Sequence, residues 1–312
     1  MKNFSFSLIY ETIKEWRFSI LIGKAKWQPY LLMAPAIFVL AVMLGYPLLK
    51  GFMLSFTNMN MISFLHPKFI GVDNYISALK SRQLFNDTIR TILWTLINLF
   101  FSISIGLFLA LMINRKLPGK NIFRVFLMIP WAIPQYIAVL IWKNMFRAQY
   151  GAIDIVLNNL GLHGIQWLSD PRWTFIACIV TNIWLGFPFM MSICLGGLQS
   201  VPGEVYEAAE LDGVSSWSKL KNITLPLLKP VLIPATILSA VWTFNMVNVI
   251  FIMTEGTGND ETAILVTRVY TEAFNYFNYG GAAAKSVLIF IGLALFSSVF
   301  IKALRGDRGV YE

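Results

Sequence analysis

Apolar and polar residues fall along this chain in long blocks. Six apolar windows, at roughly 30–56, 90–113, 122–142, 173–196, 228–253 and 283–304, each reach the ~20 residues a helix needs to cross a bilayer. Polar or turn-rich sequence bounds every window. One such window would also fit a buried helix of a water-soluble protein, but six in succession do not. The pattern predicts an all-α membrane protein with six transmembrane helices over 30–304, an N-terminal segment at 1–29 and a tail at 305–312. The connecting segments at about 57–89, 143–172 and 254–282 are too short for a large separate domain. Phe4 to Ile22 mixes apolar and charged residues, and reads equally as an amphipathic helix on the membrane surface or as a frayed tail.

Composition agrees. Charged residues are 13% of the 312, about half the roughly 25% of soluble domains, too few to cover a water-facing surface. The net charge of +9 comes without any Lys/Arg run, so it does not read as a nucleic-acid patch. Its distribution gives an orientation instead. With the N-terminus inside, twelve Lys and Arg outside the windows fall on the cytoplasmic side and seven on the other, which predicts that both termini are cytoplasmic. Charges throughout Met1 to Lys26, and the lack of a small-residue cleavage site, argue against a removable signal peptide.

The chemistry inventory is short. There is no GxxxxGK[ST] loop, so the chain is not expected to hydrolyse ATP itself. His66 and His163 stand apart from any HExxH or Cys/His cluster, and no metal site or catalytic set is expected. Cys178 and Cys194 share one window, roughly 24 Å apart if it is a single helix at ~1.5 Å per residue, too far for a disulfide. No Asp or Glu lies in any window. Proton-coupled carriers keep a titratable group at membrane depth, so energy for uphill transport would have to come from another chain.

Helix breakers and polar–aromatic clusters remain at membrane depth. Pro130 and Pro134 stand one turn apart in the third window, and the fourth carries Trp184-Leu185-Gly186-Phe187-Pro188-Phe189. Proline removes an N–H and disturbs the carbonyl four residues back, and unwound backbone at this depth belongs where it is buried in protein or lines a cavity. The plainer reading is a kink that tunes packing. In the fifth window Ser239, Trp242, Thr243 and Met246 follow i, i+3, i+4, i+7 and share one helix face. An indole beside hydroxyls suits a sugar, which stacks its apolar ring face and needs hydrogen bonds. Helix–helix packing explains the same residues equally well.

The most organised polar stretch is 197–227. Val205-Tyr206-Glu207-Ala208-Ala209-Glu210-Leu211-Asp212-Gly213 predicts a helix, with Pro202 in its first turn and Gly213 in the left-handed position that ends it. Ser215 or Ser216 caps a second short helix, which Pro226 is expected to stop before the fifth span. With Ala208 and Ala209 small and exposed, such a bent pair fits a groove on another protein; a plain amphipathic loop helix is the alternative.

Glu207-Ala208-Ala209, then Asp212-Gly213, then Ile223-Thr224-Leu225-Pro226 resembles the cytoplasmic coupling loop of ABC importer permeases. The likeness extends through Ile70-Gly71-Val72-Asp73-Asn74-Tyr75, Ile129-Pro130-Trp131-Ala132-Ile133-Pro134 and Trp167-Leu168-Ser169-Asp170-Pro171. It is similar to the carbohydrate branch, nearest the larger permease of maltose-type systems. The resemblance implies a type I importer permease fold in a bacterial cytoplasmic (inner) membrane. It implies a heterodimer with a second permease, two ATPase subunits that carry ATP and Mg, and an external sugar-binding protein. Glu207, Ala208, Ala209, Asp212, Gly213, Leu225 and Pro226 would then couple to the ATPases. The family's sugar contacts carry over to Trp131, Gln135, Gly186, Phe189, Ser239, Trp242, Thr243 and Met246. The family relative has amides at positions 243 and 246 and tyrosines at 131 and 189; fewer hydrogen-bonding groups here count against maltose itself and leave another di- or oligosaccharide open. The implied function is sugar import by alternating access, with no bond chemistry in this chain. The alternatives are the same architecture for glycerol-phosphate or another small solute, and a stand-alone channel or carrier.

Overall fold

The computed structural model describes residues 28–115, 118–162, 165–256 and 260–305. The segment Phe4 to Ile22 and the tail beyond Arg305 lie outside the described residues. The chain divides into two compact units, 1–53 and 54–312.

The described residues of the first unit belong to one apolar helical run, Pro29–Leu54, whose last residue falls in the second unit. It comprises α1 (Gln28–Leu40), a wide π turn (Ala41–Gly45) and α2 (Tyr46–Leu54). The Tyr46 N–H reaches five residues back to the Ala41 carbonyl, and the next residue is Pro47. The extra residue widens the turn just where the proline ring would crowd the carbonyl four back.

The second unit holds α3 (Asp73–Lys80), α4 (Arg82–Ile113), α5 (Lys120–Ala132), α6 (Gln135–Met145), α7 (Ala152–Asn159), α8 (Pro171–Ser200), α9 (Gly203–Leu211), α10 (Ser216–Lys219), a π turn (Leu220–Thr224), α11 (Leu225–Phe244), α12 (Val247–Met253), α13 (Leu265–Phe274) and α14 (Tyr279–Arg305). Five helices of the described residues are long and apolar enough to cross a membrane, and the bent pair α5–α6 makes a sixth span. α4 and α8 pack along their lengths. α4 presents Trp94, Asn98, Ser102, Gly106 and Ala110, spaced four apart, on its buried face. α8 starts where Asp170 accepts from the N–H groups of Arg172 (2.8 Å) and Trp173, with Pro171 at its first position.

Two apolar cores form. One joins Trp94, Val139, Phe146, Cys178, Ile250 and Met253. The other joins Ala110, Met191, Cys194, Leu195, Leu198 and Leu228. Both draw on α4 and α8, which leaves the middle stretches of these helices, around Ser102 and Gly186, between them.

Three readings need correction. The fourth span does not unwind: α8 runs unbroken through Gly186 and Pro188. Pro188 is buried, and neighbouring helices hold the backbone despite the missing N–H. The fifth span does break, between α11 and α12, at Asn245-Met246, where neither Pro nor Gly stands. Pro226 stops nothing. The Leu225 N–H bonds five back to Leu220, so the π turn widens just before the proline, as before Pro47, and the helix continues. α4 also begins earlier than its apolar window, which brings Asp87 inside a helix.

Candidate functional site

The third span breaks at Ile133-Pro134, where α5 and α6 meet at 94°. Ile133 is extended and Pro134 precedes α6 in an extended conformation, so the span turns through an elbow at this pair of residues. The elbow, the middle of α8, the end of α11 and the middle of α4 enclose a cavity of about 280 Å³. All eight residues carried over for sugar contact line it: Trp131 and Gln135 from the elbow, Gly186 and Phe189 from α8, and Ser239, Trp242, Thr243 and Met246 from the fifth span. Ser239, Trp242 and Thr243 share a face of α11. Met246 does not continue that face; it lies in the break, at φ −79° and ψ 86°, and reaches the cavity from there.

The walls pair apolar faces with hydrogen-bonding groups. Phe189 and Trp242 stand 5.1 Å apart at 58°. Trp131 and Trp242 are about half exposed, whereas Thr243 is buried. The Gln135 amide nitrogen donates to Met246 Sδ, and its oxygen accepts from Asn248 Nδ2 at 3.0 Å, so the elbow is tied across to the fifth-span break. Ser239 Oγ donates to Met190 Sδ. None of the fourteen lining residues is charged.

α4 forms the back wall, and sequence reading had assigned it no contact. Ser102 and Leu99 line the cavity, as does Asn182 of α8. Asn182 donates to Asn98 Oδ1 at 2.9 Å, and Asn98 donates to the Trp94 carbonyl at 2.8 Å. Trp94 Nε1 donates to the Thr243 carbonyl at 2.9 Å. The Val247 N–H, that carbonyl's usual partner four residues on, has turned to Asn245, and the Met246 N–H reaches the carbonyl instead at 3.2 Å. The break in the fifth span is therefore held by a fully buried indole from the second. The signal in the sequence for this wall is the i, i+4, i+8 spacing of Trp94, Asn98 and Ser102, a polar stripe along α4.

The segment after α8 supplies a second feature. α9 ends at Gly213, whose φ of 68° is left-handed, with Val214 N–H bonding back to Ala209 and Gly213 N–H to Glu210. Ser215 caps α10 through Ser218 N–H. Pro202 sits at the N-cap of α9, one residue before the helix and not in its first turn. A Glu210–Lys219 ion pair at 2.9 Å and a Tyr206–Thr224 contact at 3.3 Å fix α9 against the following helix. Glu207, Ala208, Asp212 and Gly213 are exposed, and Leu225 and Pro226 half-buried. Ala209 is 5% exposed, so of the two small alanines only Ala208 faces out; Ala209 packs inward as one partner of the helix stop. Leu211 and Trp217, at 90% and 72%, are the large apolar groups this surface offers.

A third cluster lies away from both. Asp87 of α4, fully buried, takes Arg268 of α13 at 2.8 Å and Arg90 at 2.9 Å, and Arg268 also reaches Asp260 at 2.8 Å. Burial works against the Arg268 charge, but the two carboxylates outweigh it and raise its pKa above the ordinary value. Glu255, beside Lys143 at 3.0 Å, is held below the usual carboxylate range by that hydrogen bond and charge.

Six spans, two of them broken around a central cavity, and an exposed bent helix pair between the fourth and fifth define a membrane permease. Residues 102–306 match the sequence family described as the binding-protein-dependent transport system inner membrane component, and the chain belongs to that family. It is thus a membrane component of a transport system. It is 34% identical to the trehalose/maltose transport system permease protein MalF of Thermococcus litoralis, over 89% of this chain and 94% of that protein. It is 33% identical to the sulfoquinovosyl glycerol transport system permease protein SmoG of Agrobacterium fabrum, over 88% and 89%. Its fold is that of a chain in the crystal structure of a bacterial ABC transporter involved in the import of the acidic polysaccharide alginate. The TM-score is 0.78, with 21% identity and coverage of 94% of this chain and 98% of that one.

Proposed function

We propose that this chain is a permease subunit of an ATP-driven importer of neutral di- or oligosaccharides in a bacterial cytoplasmic membrane. The observation that carries this reading is that eight residues from three separate spans line one uncharged cavity of aromatic and hydrogen-bonding groups. Trp242 and Phe189 offer ring faces for a sugar to stack on. Ser239, Thr243 and Gln135 offer its hydroxyls partners. A relative named for trehalose and maltose supports the cargo class.

The rest of the assembly follows from the same reading. A second permease completes the pathway, an external binding protein delivers the sugar, and two ATPase subunits bind ATP and Mg. They dock on the exposed face of α9 and the turn after it, around Glu207, Ala208, Asp212 and Gly213, while Leu225 and Pro226 carry movement into the fifth span. The excess of Lys and Arg puts that segment and both termini in the cytoplasm. ATP-driven closure of the ATPases then switches the cavity between the two sides. Transport needs only that the two states bind sugar differently.

The test is a sugar panel applied to the reconstituted complex with its binding protein, reading sugar-stimulated ATPase activity. Stimulation by a neutral oligosaccharide is expected. Glycerol-phosphate would need cations in the wall, and stimulation by it alone would overturn the reading.

A further inference from the structure

We propose that the loop between α2 and α3 is a membrane-interface anchor, which seats its apolar tip among the lipid headgroups and upper acyl chains. Met61, Ile62, Phe64 and Leu65 are 69%, 97%, 54% and 82% exposed, and Phe69, at the loop's far side, is 78% exposed. A floppy loop would hide such residues by collapsing, but this one is built to hold them out. Asn60 Oδ1 accepts the Ile62 and Ser63 N–H groups at 2.9 Å, Ser63 Oγ donates to the Asn58 carbonyl, and Asn58 Oδ1 accepts the Lys68 N–H. A bridge between Thr57 and Phe69 closes the base, and Asn74 Nδ2 clamps the Ser55 and Thr57 carbonyls.

The same loop is fastened to the start of the sixth span. Gly280 N–H donates to the Met59 carbonyl at 2.9 Å, and a Cβ at Gly280 would collide with the Thr57 carbonyl. Phe64 packs edge-on against Tyr279, the first residue of α14, with ring centroids 6.0 Å apart. A tyrosine at the mouth of a span marks the level of the bilayer boundary, so the loop is held at that level. By the alternation of spans this is the face opposite the α9 segment. Residues 55–72 contain no Asp or Glu, while His66 and Lys68 are exposed beside the tip. An apolar tip flanked by the Lys68 cation, with no carboxylate in the loop, matches an anionic lipid surface. A protein partner is the competing occupant.

The experiment places Cys at Ile62, labels it with an environment-sensitive fluorophore, and reconstitutes the complex in vesicles containing anionic lipid. At 97% exposure Ile62 has almost no packing to lose, and the native cysteines are buried. We expect quenching by lipids bearing a nitroxide near the headgroup, and shielding from aqueous iodide, with or without the binding protein. Free quenching by iodide without nitroxide quenching would overturn the proposal. So would shielding that appears only when the binding protein is added, which would assign the tip to a protein dock.

Discussion

At the scale of single residues the cavity separates side chains that stack from side chains that hold others in place. Trp242 belongs to the first kind: it is 48% exposed and touches Phe189 across the cavity. Replacing it with Ala should remove about 1–3 kcal/mol of sugar contact if base stacking is a fair analogue. At ~1.4 kcal/mol per tenfold, that is a roughly five- to hundredfold loss of affinity. Thermal stability should change little, since a core Trp→Ala costs about 3–5 kcal/mol and this ring is half unburied. Comparing assembly with transport in this variant separates stacking from packing. Trp94 belongs to the second kind. Trp94→Phe keeps the apolar ring but leaves the Thr243 carbonyl only the Met246 N–H, a loss of about 0.5–1.5 kcal/mol for one buried hydrogen bond. We expect a lowered Tm with folding retained; an unchanged Tm would contradict the role given to the indole.

At the scale of elements, the exposed α9 turn is the part whose behaviour is easiest to alter without touching the cavity. Gly213→Pro forbids the left-handed φ and removes the N–H that bonds to Glu210. Glu207→Lys reverses an exposed charge without touching the fold. Both variants should insert, and complexes carrying them should hydrolyse ATP but no longer link hydrolysis to uptake; normal uptake in both would remove this segment as the dock.

The two broken spans also show what a sequence can reveal. The third breaks at Ile133-Pro134, although the same four-residue proline spacing at Pro230 and Pro234 stays within the continuous α11, so the prolines allow the elbow without dictating it. The fifth breaks at Asn245-Met246 with no breaker present, and the indole that meets the Thr243 carbonyl there comes from Trp94, 149 residues away in the chain. In the fourth span the breakers are present and the break is not, because packing on both sides holds α8 straight. Local signals were legible; those settled by tertiary contact were not. Asn182 and Ser102 went unassigned for the same reason, since a polar residue in an apolar window looks alike whether it pairs with a helix or faces a cavity. The eight family-matched positions did point to one place, though a shared face explained only three of the four in the fifth span.

At the scale of the whole molecule, the six spans were readable because a bilayer imposes length and apolarity on every one. The Asp87 cluster was not, since it lies beyond the edge of an apolar window. It joins the start of α4 to α13, on the side of the membrane opposite the α9 segment. Asp87→Asn leaves the buried Arg268 with only the exposed Asp260, and breaking such a pair typically costs about 3–5 kcal/mol. Thermal unfolding of the purified complex checks this, and a change below about 1 kcal/mol would show the pair to be solvent-relaxed.

The central claim is that the cargo passes through the 280 Å³ cavity. Gly186 faces it without a side chain, and only Ser102 stands near where a Cβ would go, at 3.1 Å. The most direct measurement is uptake of labelled neutral oligosaccharides by proteoliposomes carrying the complete complex, with this chain as wild type or as Gly186→Trp. The account predicts that the variant assembles and hydrolyses ATP while uptake falls to background, because the indole fills the cavity. Uptake at the wild-type rate would mean that the sugar takes another path.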